Sequence, residues 1–209
     1  MQVFVLDGLI GVGKSTVLNS LRDLALPGVA IVDEPVDAWE KTGLLDGMYS
    51  GKMSKGQFQI MALSTRVLRM LHALRDPSVH TVIMERSPWS DRDVFAKLHL
   101  SDEWDIRSYN AIFQEVCNAL ADIQPHVLLL SAPVPVLMQR QAMRQRHSES
   151  SITEAYMHEL EAAYQTYFDS LQVDKVKIDT CCPSAEVLDK VLHVVQESGT
   201  TCGRPSLRD

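Results

Sequence analysis

Five short apolar segments recur along the chain, and longer segments with helical periodicity separate them. They span residues 3–6, 29–32, 82–84, 127–130 and 176–178. Alternation of short apolar strands with helical segments is typical of parallel strands joined by helical crossovers. We therefore predict an α/β fold built on an open five-stranded parallel sheet with helices on both faces. Ligands of such sheets bind at the carboxyl ends of the strands.

A glycine-rich segment, GLIGVGKST, follows the first predicted strand directly. It fits the pattern G-x-x-x-x-G-K-S, in which backbone N–H groups surround phosphates, the lysine reaches the outer phosphates and the hydroxyl ligates Mg²⁺. A helical pattern over residues 15–26 follows, so a helix N-terminus also faces the phosphates. The segment predicts a P-loop NTPase-type fold that binds a nucleoside triphosphate through Gly8, Leu9, Ile10, Gly11, Val12, Gly13, Lys14, Ser15 and Thr16.

Length and composition narrow the class of protein. With 209 residues, 45% of them hydrophobic, the chain predicts one domain over residues 1–198 and a disordered tail over residues 199–209. The net charge of −7 argues against nucleic acid as a partner. We expect no membrane partner, because no leader precedes the first strand and no apolar run reaches the ~20 residues that span a bilayer. Four cysteines without metal-ligand spacing favour a cytoplasmic location.

Charged residues follow the second and third predicted strands. Glu34 precedes Pro35, which keeps the glutamate out of a helix, so its carboxylate can accept the proton of a hydroxyl acceptor. Glu85 and Arg86 end the third strand. Glu85 is a candidate partner of Mg²⁺, and Arg86 can contact phosphate oxygens or orient Glu34. The alternatives are an ordinary turn at Glu34 and a structural ion pair at residues 85 and 86.

Three arginines lie near the end of the helical segment after the fourth strand. They are Arg140, Arg144 and Arg146, and the first two share one helix face. Clustered guanidinium groups repel one another unless an anion binds, so the cluster predicts a lid over the transferring phosphoryl group. Glu149 follows in the same segment. The alternative is a solvated run of charge.

The helical pattern over residues 54–74 carries polar side chains on an otherwise apolar face. Gln59, Ala62 and Arg66 recur at positions that share this face. We expect Asp91 to pair with Arg66, and the pair to read the edge of a nucleobase together with the Gln59 amide. The alternative is a surface salt bridge beside core aromatic residues. Stacking or shape would come from Trp39, Phe58 and Phe95.

Taken together, the motifs resemble those of the deoxynucleoside kinase family, on its deoxycytidine/deoxyguanosine kinase side. In this chain they stand as GLIGVGKST, EPVDAW, LLDGMY, FQIMALSTR, ERSPWSDRDVF and RQAMRQRHSE. The resemblance implies an enzyme of nucleotide salvage that uses ATP and Mg²⁺ to phosphorylate the 5′-hydroxyl of a deoxynucleoside. It also implies a homodimer.

The resemblance further implies a role for each matching residue. Glu34 would be the base, with Arg86 beside it, and Ser15 and Glu85 would hold Mg²⁺. The sugar 3′-hydroxyl would contact Tyr49 and Glu149, and Asp179 would begin the loop around the adenine of ATP. The phosphoryl group would be stabilised by Lys14, Arg86, Arg140, Arg144 and Arg146.

The combination of Ala62, Arg66 and Asp91 favours cytosine and purine deoxynucleosides over thymidine. An Arg–Asp pair occupies the space that the thymine methyl group needs, and Asp91 can accept a hydrogen bond from an exocyclic amino group. Two other functions remain open from the sequence. A nucleoside monophosphate kinase would need extra cations near Glu34, where EPVDAWEKTG offers little positive charge. A non-catalytic nucleotide-binding protein would not need the base-reading residues.

Overall fold

The sheet has five strands, all of them parallel, in the order β2-β3-β1-β4-β5. We describe a computed structural model, which covers residues 1–144 and 152–201. The strands are β1 (Gln2–Asp7), β2 (Val29–Val32), β3 (Thr81–Glu85), β4 (Pro125–Ser131) and β5 (Lys175–Asp179). Each contains the apolar segment that predicted it, so the predicted fold class is confirmed.

Helices connect the strands. They are α1 (Lys14–Asp23), α2 (Val36–Lys41), α3 (Leu44–Tyr49), α4 (Lys55–Leu74), α5 (Pro88–Ser90), α6 (Lys97–His99), α7 (Glu103–Ala119), α8 (Val134–Arg144), α9 (Glu154–Ser170) and α10 (Ser184–Thr201). A π-helical turn, Asp91–Ala96, joins α5 to α6. The last helix continues three residues into the segment for which the composition predicts disorder, and residues 202–209 lie outside the described part.

The central strand β1 is buried on both faces, and its side chains alternate between two cores. Phe4 and Leu6 pack in one core with residues of α1, α8, α9 and α10. Val3 and Val5 pack in the other with residues of α4 and α7. The helices therefore cover both faces of the sheet, and the carboxyl ends of the strands are left as the place for a cleft.

A third, smaller core closes one end of that cleft. Trp39, Leu45, Phe58 and Ala62 form it, and they come from α2, α3 and α4. Helix α4 begins at a capping box, in which the Ser54 hydroxyl and the side chain of the residue three positions later satisfy each other's backbone N–H groups. This cap fixes where the twenty-residue helix starts and hence which of its side chains face the cleft. Within residues 1–144 and 152–201, no helix is long and apolar enough to cross a membrane.

Candidate active site

A cleft of about 1130 Å³ lies at the carboxyl ends of the strands. Ligand pockets for single small molecules usually have volumes of about 300–1,000 Å³. The cleft is therefore large enough for two substrates side by side. The P-loop lines it, together with α4, the π-helical turn, the end of α8 and the start of α10.

Two glycines let the P-loop approach its surroundings closely. Gly8 has a φ of 136°, and a Cβ atom there would lie 2.4 Å from the carbonyl oxygen of Leu130. Gly13 has a φ of 106° and faces open space, so it supplies backbone freedom alone. Lys14 Nζ donates hydrogen bonds of 2.9 Å to the carbonyl oxygens of Gly8 and Leu9. These two residues shape the loop and position Lys14, whereas residues 10–16 line the cleft.

The lysine of the P-loop is buried, and burial lowers the pKa of Lys14 to about 8. The charge of Arg86 lowers this pKa further, and the charge of Glu85 opposes the shift. A bound polyphosphate would add negative charge and hold the ammonium form. Lys14 is therefore placed to change from a loop-stabilising group to a phosphate ligand.

Ser15 of the P-loop lies beside Glu85 at the end of β3. Ser15 Oγ donates a hydrogen bond of 3.1 Å to Glu85 Oε2, and Lys14 Nζ lies 3.8 Å from Glu85 Oε1. A hydroxyl and a carboxylate are the oxygen ligands that Mg²⁺ prefers, so this pair fits the ion. In the described ranges no group of three or more His, Cys, Asp or Glu side chains could hold a metal. A bound Mg²⁺ would therefore draw its other ligands from phosphates and water.

A chain of ion pairs runs through the centre of the cleft. Arg86 donates to Glu34 Oε2, Arg66 Nη2 donates to Glu34 Oε1 at 2.6 Å, and Arg66 Nη1 donates to Asp91 Oδ2. The side chains of Glu34 and Arg66 are 8% and 4% exposed. Two of these contacts, Arg86 with Glu34 and Arg66 with Asp91, agree with the sequence-based expectation. The contact between Arg66 and Glu34 was not predicted.

These arginines control the charge of Glu34. Burial alone would raise the pKa of the Glu34 carboxyl, but the charges of Arg86, Arg66 and Lys14 together hold it below the ordinary 4.5. Glu34 is therefore ionised at neutral pH. A carboxylate that is ionised and fixed from both sides can accept a hydrogen bond from a hydroxyl group in one defined direction.

Arg86 is held in an unusual backbone conformation. Its φ of 59° places it in the left-handed region, which costs a non-glycine residue roughly 1–3 kcal/mol and is found mostly at functional sites. The guanidinium lies 5.0 Å from the centroid of the Phe95 ring and 3.4 Å from Tyr164 Oη. The left-handed turn thus directs Arg86 from the end of β3 into the cleft.

The end of the cleft next to the third core combines polar and aromatic side chains. Gln59, Ala62 and Arg66 line it from α4, as the spacing predicts, and Asp91 and Phe95 line it from the π-helical turn. The other aromatic residues form the end wall, where the rings of Trp39 and Phe58 meet edge to face at 5.5 Å, and Tyr49 lies at the mouth with 41% exposure. Aromatic rings beside an amide and an ion pair can stack on a base and read its edge, so this end of the cleft is the candidate nucleobase site.

The residues predicted for the lid and for the donor adenine divide into three groups. Arg140 and Arg144 line the cleft, and Arg140 donates to Thr180 Oγ1 at 3.2 Å and to the Thr180 carbonyl oxygen at 2.7 Å. Arg146 and Glu149 lie outside the described residues. Asp179 is exposed and does not line the cleft, and its Oδ1 accepts a 2.9 Å hydrogen bond from the Cys181 backbone N–H. The residues after Asp179 line the cleft in its place, namely Thr180, Cys182, Ser184 and Val187.

Several polar residues of this region were not indicated by the sequence. Tyr109 Oη donates to Asp91 Oδ1, so the carboxylate that pairs with Arg66 is also held from α7. His99 lies against Gln59, and Tyr156 lies against His99. These tyrosines and this histidine occur in apolar helical patterns that resemble ordinary core segments. Asp7 was missed as well, although its position directly before the P-loop is a signal that it lies close to the site.

Asp7 is fully buried, and neither of its carboxylate oxygens accepts a hydrogen bond from the described part of the chain. Burial raises the pKa of Asp7 from 3.8 to about 6, although the nearby Ser90 side chain and the charges of Arg86 and Lys14 oppose the shift. Because the folded state holds this proton more tightly than the unfolded state, its contribution to stability falls as the pH rises towards 6. The ionised form costs about 2–3 kcal/mol at neutral pH.

We expect Asp7→Asn to relieve this cost. Urea unfolding of both proteins gives the difference in free energy of unfolding, variant minus wild type. That difference should rise by about 2 kcal/mol between about pH 4.5 and about pH 7.5. An unchanged difference across this range would show that the charge of Asp7 does not destabilise the fold.

The described geometry defines a class of protein, a P-loop phosphotransferase with a second substrate site beside its phosphate cradle. A family model for deoxynucleoside kinases matches residues 4–195, and the chain belongs to the deoxynucleoside kinase family. It is an enzyme that phosphorylates deoxynucleosides with a nucleotide as the phosphate donor. Family membership favours this function over the two alternatives, a nucleoside monophosphate kinase and a non-catalytic nucleotide-binding protein.

Similar proteins carry the names of different deoxynucleoside kinases. A protein of fowlpox virus (strain NVSL) named probable deoxycytidine kinase is 28% identical over 181 residues, covering 83% of this chain and 74% of that protein. The thymidine kinase of Ictalurid herpesvirus 1 (strain Auburn) is 27% identical over 202 residues, covering 92% of this chain and 85% of that protein. A deoxyadenosine kinase from M. mycoides with dCMP and dCDP bound has the same fold, with a TM-score of 0.75 and 20% identity. The match covers 94% of this chain and 100% of that chain.

Proposed function

We propose that this kinase transfers the γ-phosphate of ATP to the 5′-hydroxyl of a deoxynucleoside, and that it uses deoxycytidine and purine deoxynucleosides in preference to thymidine. The chain of ion pairs Arg86–Glu34–Arg66–Asp91 is the observation that carries this proposal. It joins the phosphate cradle at one end to the nucleobase site at the other. A substrate that fills both ends has a hydroxyl at the carboxylate and a base at the Arg–Asp pair.

In the proposed reaction Glu34 accepts the proton of the 5′-hydroxyl as the oxygen attacks the γ-phosphorus. The transition state of phosphoryl transfer is loose, so the base orients the hydroxyl and accepts its proton late, and a low pKa does not prevent this role. Lys14 and Arg86 lie within the cleft on the phosphate side and would stabilise the charge on the phosphate oxygens. Arg140, Arg144 and Arg146 would do so from the lid.

The metal and sugar sites follow from neighbouring residues. Ser15 and Glu85 would hold Mg²⁺, which supplies positive charge to the phosphates when bound. Tyr49 and Glu149 would contact the 3′-hydroxyl of the sugar, and this role is supported by Tyr49, which lines the cleft. The donor adenine would lie against the segment that begins after Asp179.

The preference for cytosine and purines rests on the pocket, because the named relatives include both deoxycytidine and thymidine kinases. Asp91 is 1% exposed and is fixed by Arg66 and by Tyr109. A carboxylate fixed on two sides leaves no room for the methyl group of thymine and accepts a hydrogen bond from an amino group.

A coupled assay of the ADP that is formed from ATP in the presence of Mg²⁺ tests the proposed function. The acceptors are deoxycytidine, deoxyadenosine, deoxyguanosine, thymidine and the four corresponding monophosphates. We expect turnover with nucleosides alone, and the highest kcat/KM with deoxycytidine or a purine deoxynucleoside. Turnover with monophosphates alone would contradict the proposed acceptor, and thymidine as the best substrate would contradict the proposed preference.

We also propose that the protein is a homodimer. Helices α4 and α7 pack on each other, and they carry Leu68, Trp104 and Ile106 with exposures of 66%, 71% and 38%. Exposed apolar side chains of this size on one helical layer favour burial against a second protein surface. Light scattering after gel filtration should give twice the monomer mass. Leu68→Glu with Trp104→Glu should halve it, whereas Leu24→Glu, another exposed leucine at the end of α1, should not.

A cytoplasmic location stays a prediction. The described cysteines Cys117, Cys181 and Cys182 are free thiols, although the last two are adjacent. Free thiols persist in reducing compartments. Fractionation of cells that express the tagged protein checks this location, and recovery outside the cytosolic fraction would contradict it.

A further inference from the structure

His99 joins two residues of the nucleobase site that lie on different helices. Its Nδ1 atom lies 2.7 Å from Gln59 Nε2 on α4, and its Nε2 atom lies 3.0 Å from Tyr156 Oη on α9. The rings of His99 and Tyr156 stack with centroids 5.9 Å apart and an angle of 17° between their planes. All three side chains line the cleft. Gln59 therefore does not meet a base as an isolated amide but as the end of a hydrogen-bonded chain.

The protonation of this chain is defined by its surroundings. Partial burial lowers the pKa of His99 to about 4, and the charge of Lys55 adds to the effect. Burial raises the pKa of Tyr156 to about 12, so its hydroxyl keeps its proton. A neutral imidazole donates from one nitrogen and accepts at the other. The Tyr156 hydroxyl can donate or accept, so both tautomers of His99 are satisfied at Nε2.

The tautomer of His99 decides which end of the Gln59 amide faces it. When Nδ1 accepts, the NH₂ group of Gln59 is held at His99 and Oε1 lies on the far side. When Nδ1 carries the proton, the amide is reversed and Oε1 faces His99. A base in the site then meets a donor and an acceptor in one order or in the opposite order.

The two orders match two classes of base edge. Cytosine and adenine present a ring nitrogen that accepts beside an amino group that donates. Uracil and hypoxanthine present a ring N–H that donates beside a carbonyl oxygen that accepts. A fixed amide serves one class, and the mismatched class leaves buried polar groups unpaired. An amide whose partner can change tautomer serves both.

We propose that His99 and Tyr156 are positioning residues that orient the Gln59 amide, and that exchange between the two tautomers of His99 lets one pocket bind deoxynucleosides of both edge classes. This inference rests on the proposed function, in which Gln59 reads the base. The Arg–Asp pair acts on the thymine methyl group and on an exocyclic amino group, and it is the same in the wild type and in every variant at position 99. A change in the ratio of deoxycytidine to deoxyuridine on substitution of His99 therefore reports the orientation of the Gln59 amide.

Three substitutions of His99 by side chains of nearly the same shape as one another separate its role as a hydrogen-bond donor from its role as an acceptor. Asparagine places an amide where Nδ1 lies and can donate or accept, aspartate can only accept, and leucine can do neither. Deoxycytidine and deoxyuridine form the matched substrate pair, because they differ in the base edge and neither carries a methyl group. KM and kcat for both substrates, and KM for ATP, are measured for the wild type and the three variants.

We expect His99→Leu to raise KM for both deoxynucleosides about tenfold, with kcat and KM for ATP within about twofold of the wild type, since one orienting hydrogen bond is lost. His99→Asn should restore both KM values to within about threefold. His99→Asp should hold the NH₂ group of Gln59 in one orientation and change the ratio of kcat/KM for deoxycytidine over deoxyuridine about tenfold, in the direction of the base edge that this orientation matches.

Several results would overturn the inference. They are wild-type KM values in His99→Leu, an asparagine variant as impaired as the leucine variant, and an unchanged substrate ratio in a folded His99→Asp. If His99→Asp does not fold, the asparagine and leucine pair still decides the orienting role, because these two side chains have nearly the same shape. A wild-type enzyme without turnover on any deoxynucleoside would instead contradict the proposed function itself.

Discussion

Replacing Glu34 with glutamine is expected to lower kcat by roughly 10²–10⁴-fold while ATP binding stays near the wild-type value. Glutamine keeps the shape of the side chain and one acceptor oxygen but cannot take the proton of the hydroxyl. It also leaves Arg86 and Arg66 without the charge that they contact from both sides. Steady-state kinetics with deoxycytidine and titration of ATP binding measure the two quantities.

The matched control is Glu40→Gln, the same chemical change in α2 at a residue that does not line the cleft. We expect kcat within about twofold of the wild type for this variant. Near-normal turnover in Glu34→Gln would remove Glu34 from the mechanism. An equal loss in both variants would indicate a general effect on folding.

The pH dependence of the wild type gives a second test of Glu34. Because its pKa in the folded protein lies below 4.5, the carboxylate is ionised throughout the neutral range. The acid limb of kcat/KM that belongs to Glu34 should therefore lie below about pH 4.5. Because the pKa of Asp7 is about 6, the profile is also measured in Asp7→Asn. An acid limb between about pH 5.5 and 7 that persists in this variant would show that another group is the base or that the arginines do not hold Glu34 as described.

The sheet and the P-loop were predictable because their signals are local. Each apolar segment of three or four residues marks the middle of a strand, and the observed strands extend it by at most two residues at each end. The contact between Arg66 and Asp91 was also predictable, because each residue was conspicuous by itself. A charged residue on an apolar helix face requires a partner, and few candidates existed at the strand ends.

The hydrogen bonds of His99 and Tyr109 could not be predicted in the same way. They join residues 40, 57 and 18 positions apart, and their geometry depends on how α4, α7 and α9 pack. Polar tips at the ends of largely apolar rings do not disturb a helical pattern, so periodicity alone does not reveal them. The hydrogen-bonded chain of Gln59, His99 and Tyr156 can be recognised only when the packing of the helices is known.

At the edge of the cleft near Asp179, the sequence-based prediction is correct for the segment but differs from the structure by one residue. The sequence correctly indicates that the segment after β5 faces the cleft. Asp179 is exposed, however, whereas Thr180 is buried and lines the cleft. Successive residues at a strand end point in opposite directions, so a shift of one position exchanges a ligand contact for a surface group.

The combined change of Arg66→Met with Asp91→Ala is expected to raise the ratio of kcat/KM for thymidine over deoxycytidine by about 10–100-fold. The pair is buried at the base edge, and its removal provides room for the thymine methyl group and removes the carboxylate that accepts from an amino group. Loss of the Arg66 contact with Glu34 also lowers turnover, but it does so for both nucleosides, so the ratio isolates the base site.

The single variants explain why both residues must change together. Arg66→Met leaves Asp91 buried without its cation, which is expected to destabilise the fold by about 3–5 kcal/mol, and Asp91→Ala added to it should recover part of this loss. Thermal unfolding of the single and double variants measures the coupling. An unchanged thymidine ratio in a folded double variant would show that other groups set the base preference. One such group is Gln59, which lines the same cleft and which we propose is oriented by His99.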